Sequence, residues 1–488
     1  MHLQRIQVPD FRVLKDVDIT FEKEFIPRVF PLGSQNGGGK STLLQLIFVL
    51  LHCSTHDDRI PALKNILHGF KVDKNTDKRV LAKIDIWDGN KTMSLEFFCC
   101  RDSYANKLIV DRQDKEEDII CFSDISKADN LKRRVEGFEG EKDELKEISI
   151  LLESLGETRG LQQNRKISDI RSKISDIRSR LSKLNIKVIS LENMRVDSTN
   201  ELHKFLVTKL RDNHTKLEVE YITLSDKASE IQKYLRSEEL IYICNYEYFN
   251  EEGSILCKVE NLDSEEGVSF LDDLSNKIFL AAPLTQMFIF LSPANRKLLF
   301  QEQNGGSLNQ TYYQYLDAAK TLLPGFFTYD YLAVDFIVES FKAARDEDFK
   351  RAIGTGEYGN SYKELLSELR TLMTNKEVSP TQDLLGVTFK MERDGEIVEL
   401  NPEDLSHGEL KRLSIYMWLK YRNIADAIVL MDEIEIALHP DWQYRIVSDL
   451  TEWAPSNQYI LATHSYELCQ ALTPSHVKEL EPRLIKQA

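Results

Sequence analysis

The chain has 488 residues, of which 42% are hydrophobic and 29% are charged, and its formal net charge is −16 at pH 7. This length predicts two or three structural units, and the acidic balance excludes a globally basic nucleic-acid binder, leaving only a local patch for contact with DNA. The chain shows no long apolar run, no signal-peptide pattern and no C-x-x-C pair, which predicts a cytoplasmic protein without a membrane span.

A glycine-rich segment near the N-terminus is the most informative part of the chain. It separates a strand-like apolar run ending at Leu32 from an amphipathic run over residues 43–51, which is the layout of a phosphate-binding loop. Its glycines let backbone N–H groups approach phosphate oxygens at a helix N-terminus. The consensus begins with glycine, whereas this chain has a serine, a small residue that still suits the turn. The predicted loop consists of Ser34, Asn36, Gly37, Gly38, Gly39, Lys40, Ser41 and Thr42.

Two residues of this loop carry specific chemistry. Lys40 is placed to reach the β- and γ-phosphates of a nucleotide, and the Ser41 hydroxyl is placed to ligate Mg²⁺. We therefore predict a nucleotide with Mg²⁺ at this loop, which by itself leaves the class of enzyme open; the motifs that follow below narrow the nucleotide to ATP. Farther along, residues 80–87 and 93–98 are apolar runs around a turn at Asp88–Lys91, which predicts a β-hairpin.

The composition changes between about residue 130 and residue 240, where proline is absent and glycine is scarce. The heptad at 166–172 is repeated at once at 173–179, and the apolar residues follow alternating steps of three and four. A second seam with a seven-residue step follows a turn at 196–200 and contains Leu210, Leu217, Leu224 and Ile231. The pattern predicts an antiparallel helical hairpin that extends about 60 Å. Two ordinary core helices are the alternative.

Three short motifs follow in the C-terminal part. Residues 405–409 read Leu-Ser-His-Gly-Glu, and residues 428–433 place four apolar residues before Asp432 and Glu433. A later apolar run leads to His464. Each motif alone is a weak signal, but their order and spacing after a phosphate-binding loop are specific.

In order and spacing, these motifs resemble the signature motif, Walker B motif and switch histidine of ABC-type ATPases, and within them the RecF/SMC-like branch. The resemblance implies an α/β ATPase head, a mixed sheet flanked by helices, with an inserted antiparallel coiled-coil hairpin. It divides the chain into an N-terminal part of the head (1–130), the coiled-coil insertion (131–240), a helical lobe (241–384) and a C-terminal part of the head (385–488).

The resemblance also implies roles for residues outside the phosphate-binding loop. Ser406, Gly408 and Glu409 would contact the γ-phosphate of a nucleotide held by a second subunit. Asp432 would be the Mg²⁺-linked carboxylate, Glu433 the general base and His464 the γ-phosphate sensor. Related ATPases also carry a glutamine near the metal, for which Gln286 is our candidate and Gln113 the rival, while a plain core or surface role for both is open.

At the level of function, the chain resembles RecF/SMC-like ATPases of bacterial anti-phage defence, in particular the PtuA-type subunits of Septu systems. That family implies a homo-oligomer, a dimer or a multiple of dimers, that works with a separate HNH nuclease of the PtuB type. It also implies a DNA or phage-derived trigger and no membrane. The ATPase of the PARIS system is a close competitor. Two functions of a different kind stay open: a DNA-repair or chromosome-maintenance ATPase, and an ATP-gated scaffold with little turnover.

Overall fold

The computed structural model describes the chain except for residues 73–75, 77, 102–103, 105–120, 138–139, 141–198, 249–250, 301–317, 319, 330–332, 374, 394 and 481–488. The chain forms two compact units. The first contains Met1–Cys100, Glu239–Glu251 and Ile255–Ala488, and the second contains Arg101–Glu238 and Glu252–Ser254. Within the described ranges, no helix combines the length and apolarity that a membrane span requires.

The described strands form three sheets. In chain order they are β1 (His2–Phe11), β2 (Leu14–Thr20), β3 (Val29–Gly33), β4 (Lys78–Trp87), β5 (Thr92–Arg101), β6 (Leu240–Tyr248), β7 (Glu251–Val259), β8 (Ile278–Ala282), β9 (Phe326–Thr328), β10 (Glu377–Pro380), β11 (Val387–Arg393), β12 (Glu396–Leu400), β13 (Ile428–Asp432), β14 (Gln458–Ala462) and β15 (Lys478–Glu479).

The described α-helices connect and flank these sheets. They are α1 (Lys40–His52), α2 (Ile60–Ile66), α3 (Ser123–Glu136), α4 (Thr199–Ser237), α5 (Ser264–Ser275), α6 (Pro293–Phe300), α7 (Ala333–Thr355), α8 (Ser361–Leu372), α9 (His407–Tyr421), α10 (Pro440–Trp453) and α11 (Tyr466–Gln470). Short 3₁₀ helices cover Leu284–Phe290, Pro402–Asp404 and Pro474–His476. The predicted α/β class is therefore confirmed.

A six-stranded parallel sheet has the order β15-β3-β14-β13-β8-β9. Its central strands are short, apolar and buried along their whole length, as expected for parallel strands covered on both faces. Because the strands are parallel, the segments that follow β3, β13 and β14 leave the sheet at the same edge. The predicted phosphate-binding loop, the predicted Walker B acids and the predicted switch histidine lie in or directly after those strand ends.

A second six-stranded sheet has the order β2-β1-β4-β5-β7-β6. Strands β4 and β5 pair antiparallel with Trp87 opposite Thr92, which confirms the predicted hairpin. Parallel pairing occurs throughout the first sheet, and antiparallel pairing joins β1, β2, β4 and β5 in the second. Helix α1 shares one hydrophobic core with residues of both sheets, so its residues 43–52 are buried all round. The prediction of an amphipathic helix here was wrong, because apolar neighbours cover more than one face.

The range 241–384, predicted as a helical lobe, contains both strands and helices. Strands β6 and β7 belong to the second sheet, and β8 and β9 belong to the parallel sheet. Helices α7 and α8 form a separate hydrophobic core with β10, β11 and α9. Strands β11 and β12 pair antiparallel just before the signature motif.

The second unit is described mainly through α3 and α4. These helices pack against each other, and His214 Nε2 lies 3.2 Å from the Val135 carbonyl oxygen. The second predicted seam lies on α4, where Leu217 and Leu224 are half-buried and Ile231 is fully buried. The tandem heptads and the first seam lie outside the described residues, so the coiled-coil hairpin stays a prediction.

Candidate nucleotide-binding site

The phosphate-binding loop joins β3 to α1 through glycines in unusual conformations. Gly37 and Gly39 have φ angles of 78° and 93°, in the left-handed region that favours glycine. A Cβ atom at Gly39 would come within 2.6 Å of Leu14 Cδ2, so the turn between β1 and β2 closes on the loop. Ser34, which replaces the consensus glycine, donates a hydrogen bond of 2.9 Å from Oγ to the Gln35 carbonyl. The serine is thus accommodated without opening the turn.

Lys40 is held inside the loop by its own neighbours. Its Nζ donates to the carbonyl oxygen and to Oγ of Ser34, each at 3.1 Å, and lies 2.9 Å from His464 Nε2. Burial lowers the pKa of Lys40, and the charges of Asp432, Glu435 and Glu433 oppose that effect. Two groups predicted to contact the γ-phosphate are therefore in direct contact with each other.

Asp432 ends the buried strand β13 and is 1% exposed. The Gln286 amide donates to Asp432 Oδ2, and Gln45 Nε2 donates to Gln286 Oε1 at 2.9 Å. Burial raises the pKa of Asp432, while hydrogen bonds from Ser41 and Gln286 lower it. The predicted residues Ser41 and Gln286 thus both contact the carboxylate of the predicted Asp432. Sequence reasoning missed Gln45, for which the available signal was a polar residue inside the apolar run of α1.

Glu433 follows in a strained backbone conformation. Its φ angle is 52°, uncommon for a residue with a side chain, and its N–H donates to the Ala462 carbonyl at 3.0 Å. The pKa of Glu433 is raised by burial first and then by the negative charges of Asp432 and Glu435. A carboxylate with a raised proton affinity beside the phosphate-binding loop is suited to general-base chemistry.

Glu435 was not assigned a role from the sequence. It is 8% exposed, and its Oε1 accepts a 2.8 Å hydrogen bond from the main-chain N–H of His464. Its Oε2 is buried and has no hydrogen-bond partner in the part of the chain that the structure describes. The Walker B segment and the switch segment are thereby tied together by a single side chain.

The signature residues lie at the N-terminus of α9. Ser406 caps this helix: its Oγ accepts from Glu409 N at 3.3 Å, and Ser406 N donates to Glu409 Oε2 at 3.0 Å. Burial would raise the pKa of Glu409, but hydrogen bonds from Lys376 and Ser406 outweigh it and lower the pKa. A Cβ atom at Gly408 would lie 2.7 Å from the Ala437 carbonyl oxygen, so the close packing there requires glycine.

One buried cation links α9 to the Walker B turn. Lys411 is 6% exposed and donates from Nζ to the carbonyl oxygens of Glu433 at 2.9 Å and Ile436 at 3.0 Å. The same ammonium lies 4.0 Å from the centre of the Tyr329 ring, a favourable cation–π distance. Sequence reasoning missed Lys411, because nothing in the signature motif distinguishes it from a surface lysine.

The predicted site residues therefore fall into two groups. In the first group, the loop converges within one chain with Gln286, Asp432, Glu433 and His464. The second group consists of the signature residues Ser406, Gly408 and Glu409, and no hydrogen bond among the described residues joins them to the loop. Asn36 is exposed and Thr42 is half-buried. The rival glutamine, Gln113, lies outside the described residues.

The carboxylates fit a nucleotide-bound cation better than a stand-alone metal centre. Within the described ranges, no group of three His, Cys, Asp or Glu side chains is arranged to hold a metal ion. Asp432 and the Ser41 hydroxyl are adjacent, and Mg²⁺ characteristically uses one or two protein ligands together with phosphates and water. These two residues are the ones that would hold Mg²⁺ together with the nucleotide.

The fold and this site define an α/β P-loop ATPase. A family model described as an AAA ATPase domain matches residues 1–469. The chain belongs to this family of ATPases.

Similar proteins match over short segments or with low overall agreement. A segment of 51 residues is 45% identical to the "Retron Vc95 probable ATPase" of Vibrio cholerae serotype O1 biovar El Tor, and 50 residues are 38% identical to the "Retron Ec83 probable ATPase" of Escherichia coli. These segments span 10% and 9% of the two relatives. An Smc head domain from Pyrococcus furiosus, solved with the C-terminal domain of ScpA, aligns over 96% of this chain and 91% of its own length, with 12% identity and a TM-score of 0.29. A Pyrococcus yayanosii Smc head aligns over 96% and 93%, with 11% identity and a TM-score of 0.30.

Proposed function

We propose that this chain is the ATP-hydrolysing subunit of a bacterial anti-phage defence complex, and that ATP drives two copies together through a composite site. The single observation that carries the proposal is the convergence of Lys40, Asp432 and His464 at one edge of the parallel sheet. The identity to two retron-associated ATPases supports the defence setting.

The proposed reaction is hydrolysis of the γ-phosphate. Glu433 takes a proton from a water molecule as its oxygen bonds to the γ-phosphorus, the bond to the β-phosphate oxygen breaks, and ADP and phosphate leave. Lys40 and His464 would exchange their mutual contact for contacts with phosphate oxygens. Mg²⁺, bound at Ser41 and Asp432, would neutralise phosphate charge. The remaining catalytic contribution is positioning by the loop and by the Gln286 amide.

The composite arrangement is proposed from the separation of the two groups of residues. The N-terminus of α9 can offer N–H groups to an anion, yet no hydrogen bond among the described residues joins it to the loop of its own chain. A second copy would supply the missing γ-phosphate contact through Ser406 and the Gly408 backbone. ATP binding and association of the two copies would then be coupled, and hydrolysis would let the copies separate.

We further propose that the effector is a separate HNH nuclease, as in PtuA-type Septu systems, and that a DNA or phage-derived molecule is the trigger. The second unit, with α3 and α4, is the proposed docking element for this partner. A RecF/SMC-like repair or chromosome-maintenance role is the alternative. The net charge of −16 does not favour it, because a DNA-facing groove calls for a basic surface.

The test is co-purification of the chain with the product of a neighbouring HNH reading frame, followed by native mass spectrometry with and without ATP. We expect an even number of ATPase copies with ATP and a bound nuclease. Glu433→Gln should retain the assembly in ATP, and Glu452→Gln, a change at an exposed glutamate of α10, should behave like wild type. If both wild type and Glu433→Gln stay monomeric in ATP, the proposal of a composite site is wrong.

A further inference from the structure

Glu435 is a buried carboxylate that no motif role accounts for. More than nine-tenths of its surface is buried, since it is only 8% exposed. One oxygen accepts the His464 main-chain hydrogen bond, and the other has no hydrogen-bond partner among the described residues. A buried polar atom without a partner destabilises the fold, so the second oxygen calls for a ligand.

The surroundings of Glu435 place it in the nucleotide site and not in an inert core. Its Oε1 accepts from the main-chain N–H of His464, whose ring nitrogen Nε2 lies 2.9 Å from Lys40 Nζ. The negative charge of Glu435 acts on Lys40, Asp432 and Glu433. A positively charged ligand would relieve this repulsion among three neighbouring acids. A ligand that satisfies this oxygen through hydrogen bonds must donate them, because a carboxylate oxygen only accepts.

We propose that Glu435 is a third functional carboxylate of the nucleotide site, which holds the switch segment with one oxygen and binds a hydrated divalent cation with the other. The proposal rests on the proposed nucleotide site. A hydrated Mg²⁺ meets both requirements, because it is cationic and retains several water ligands whose hydrogens can be donated. Glu435 is then an outer-shell partner, and it also positions His464 through the main chain.

The two oxygens can be separated by one near-isosteric substitution. In Glu435→Gln, the amide oxygen can still accept from His464 N–H, while an NH₂ group replaces the second oxygen. That NH₂ group donates, as do the waters around Mg²⁺, so the cation loses its acceptor. Glu435→Ala removes both interactions, and Glu452→Gln is the control for loss of a glutamate charge elsewhere.

The experiment measures ADP binding by calorimetry in EDTA and over a Mg²⁺ series, so that no turnover is needed. For Glu435→Gln we expect the ADP affinity in EDTA to equal that of wild type. The Mg²⁺ concentration that gives half of the Mg²⁺-dependent gain in ADP affinity should rise about tenfold, as is typical when a residue that supports a metal through its ligands is changed. Glu435→Ala should show the same Mg²⁺ defect and faster hydrogen exchange at His464.

Wild-type Mg²⁺ dependence in Glu435→Gln would overturn the cation role, even if Glu435→Ala does not fold. Unchanged exchange at His464 in a folded Glu435→Ala would overturn the positioning role. The proposed function fails separately: in that case wild type itself would bind ADP no better with Mg²⁺ than in EDTA, or would not bind it at all.

Discussion

The two halves of the proposed composite site are organised differently. On the loop side, hydrogen bonds join segments that are far apart in sequence, as in the contacts of Lys40 with His464 and of Gln286 with Asp432. On the signature side, Ser406 and Glu409 bond to each other in a local capping box, and Lys376 adds one longer-range contact to Glu409. The loop side is assembled by the fold, whereas we propose that the signature side is a preformed helix end that a second molecule contacts.

Lys411 is where the two halves meet within one chain. It lies on the same helix as the signature residues and holds the main chain of Glu433, the proposed base. Movement of α9 upon contact with a second copy would therefore reach the base directly. Substitutions on each side should accordingly affect different steps, and the following predictions run from the largest expected effect to the smallest.

The loop side should be most sensitive at Lys40. Lys40→Ala should weaken ATP binding by about 100-fold or more, because each hydrogen bond from a cation to phosphate contributes about 1.5–3 kcal/mol. Isothermal calorimetry measures the effect, with Lys350→Ala, at an exposed lysine of α7, as the control. An unchanged affinity for ATP would show that the loop is not the nucleotide site.

Glu433→Gln should separate binding from chemistry on the same side. We expect ATP affinity close to wild type and a turnover rate lower by about 100-fold or more, because the general base is lost. The ATP-bound oligomer should persist on a sizing column while the wild-type oligomer decays. Wild-type turnover in this variant would move the base role to another residue.

Ser406→Arg should affect the signature side alone. The variant should bind ATP as a monomer but fail to associate, since the arginine blocks contact with the second nucleotide. It also loses the helix cap, which costs about 1 kcal/mol of stability, so Ser406→Thr serves as the control that keeps a capping hydroxyl. If light scattering shows the same ATP-dependent oligomer for the arginine variant and wild type, other surfaces hold the assembly.

Lys411→Met should give the smallest effect and weaken the link between the two sides. Loss of its two hydrogen bonds to carbonyl oxygens should let the strained turn at Glu433 relax, lowering kcat by about tenfold. KM for ATP and ATP-driven association should stay as in wild type. Lys411→Arg should recover part of kcat. A rise in KM without a change in kcat would assign Lys411 to nucleotide binding.

The motif residues could be proposed from the sequence because each lies in a local pattern with a recognisable mechanism. Strand β13 could be predicted from an apolar run, and the start of α1 from the glycines that precede it. Gln45, Glu435 and Lys411 could not be found in this way, because their partners are distant in sequence or are main-chain atoms. The three-residue strand β9 was missed for a related reason, since it is too short to show a period.

The most direct test of the composite site mixes two inactive variants. Lys40→Ala retains an intact signature motif, and Ser406→Arg retains an intact loop, so a mixed dimer contains one site with both parts. We predict that each variant alone hydrolyses little ATP and that mixing restores hydrolysis. Mixing either variant with the double variant should restore none. Absence of recovery in mixtures that native mass spectrometry shows to contain mixed dimers would contradict the composite site.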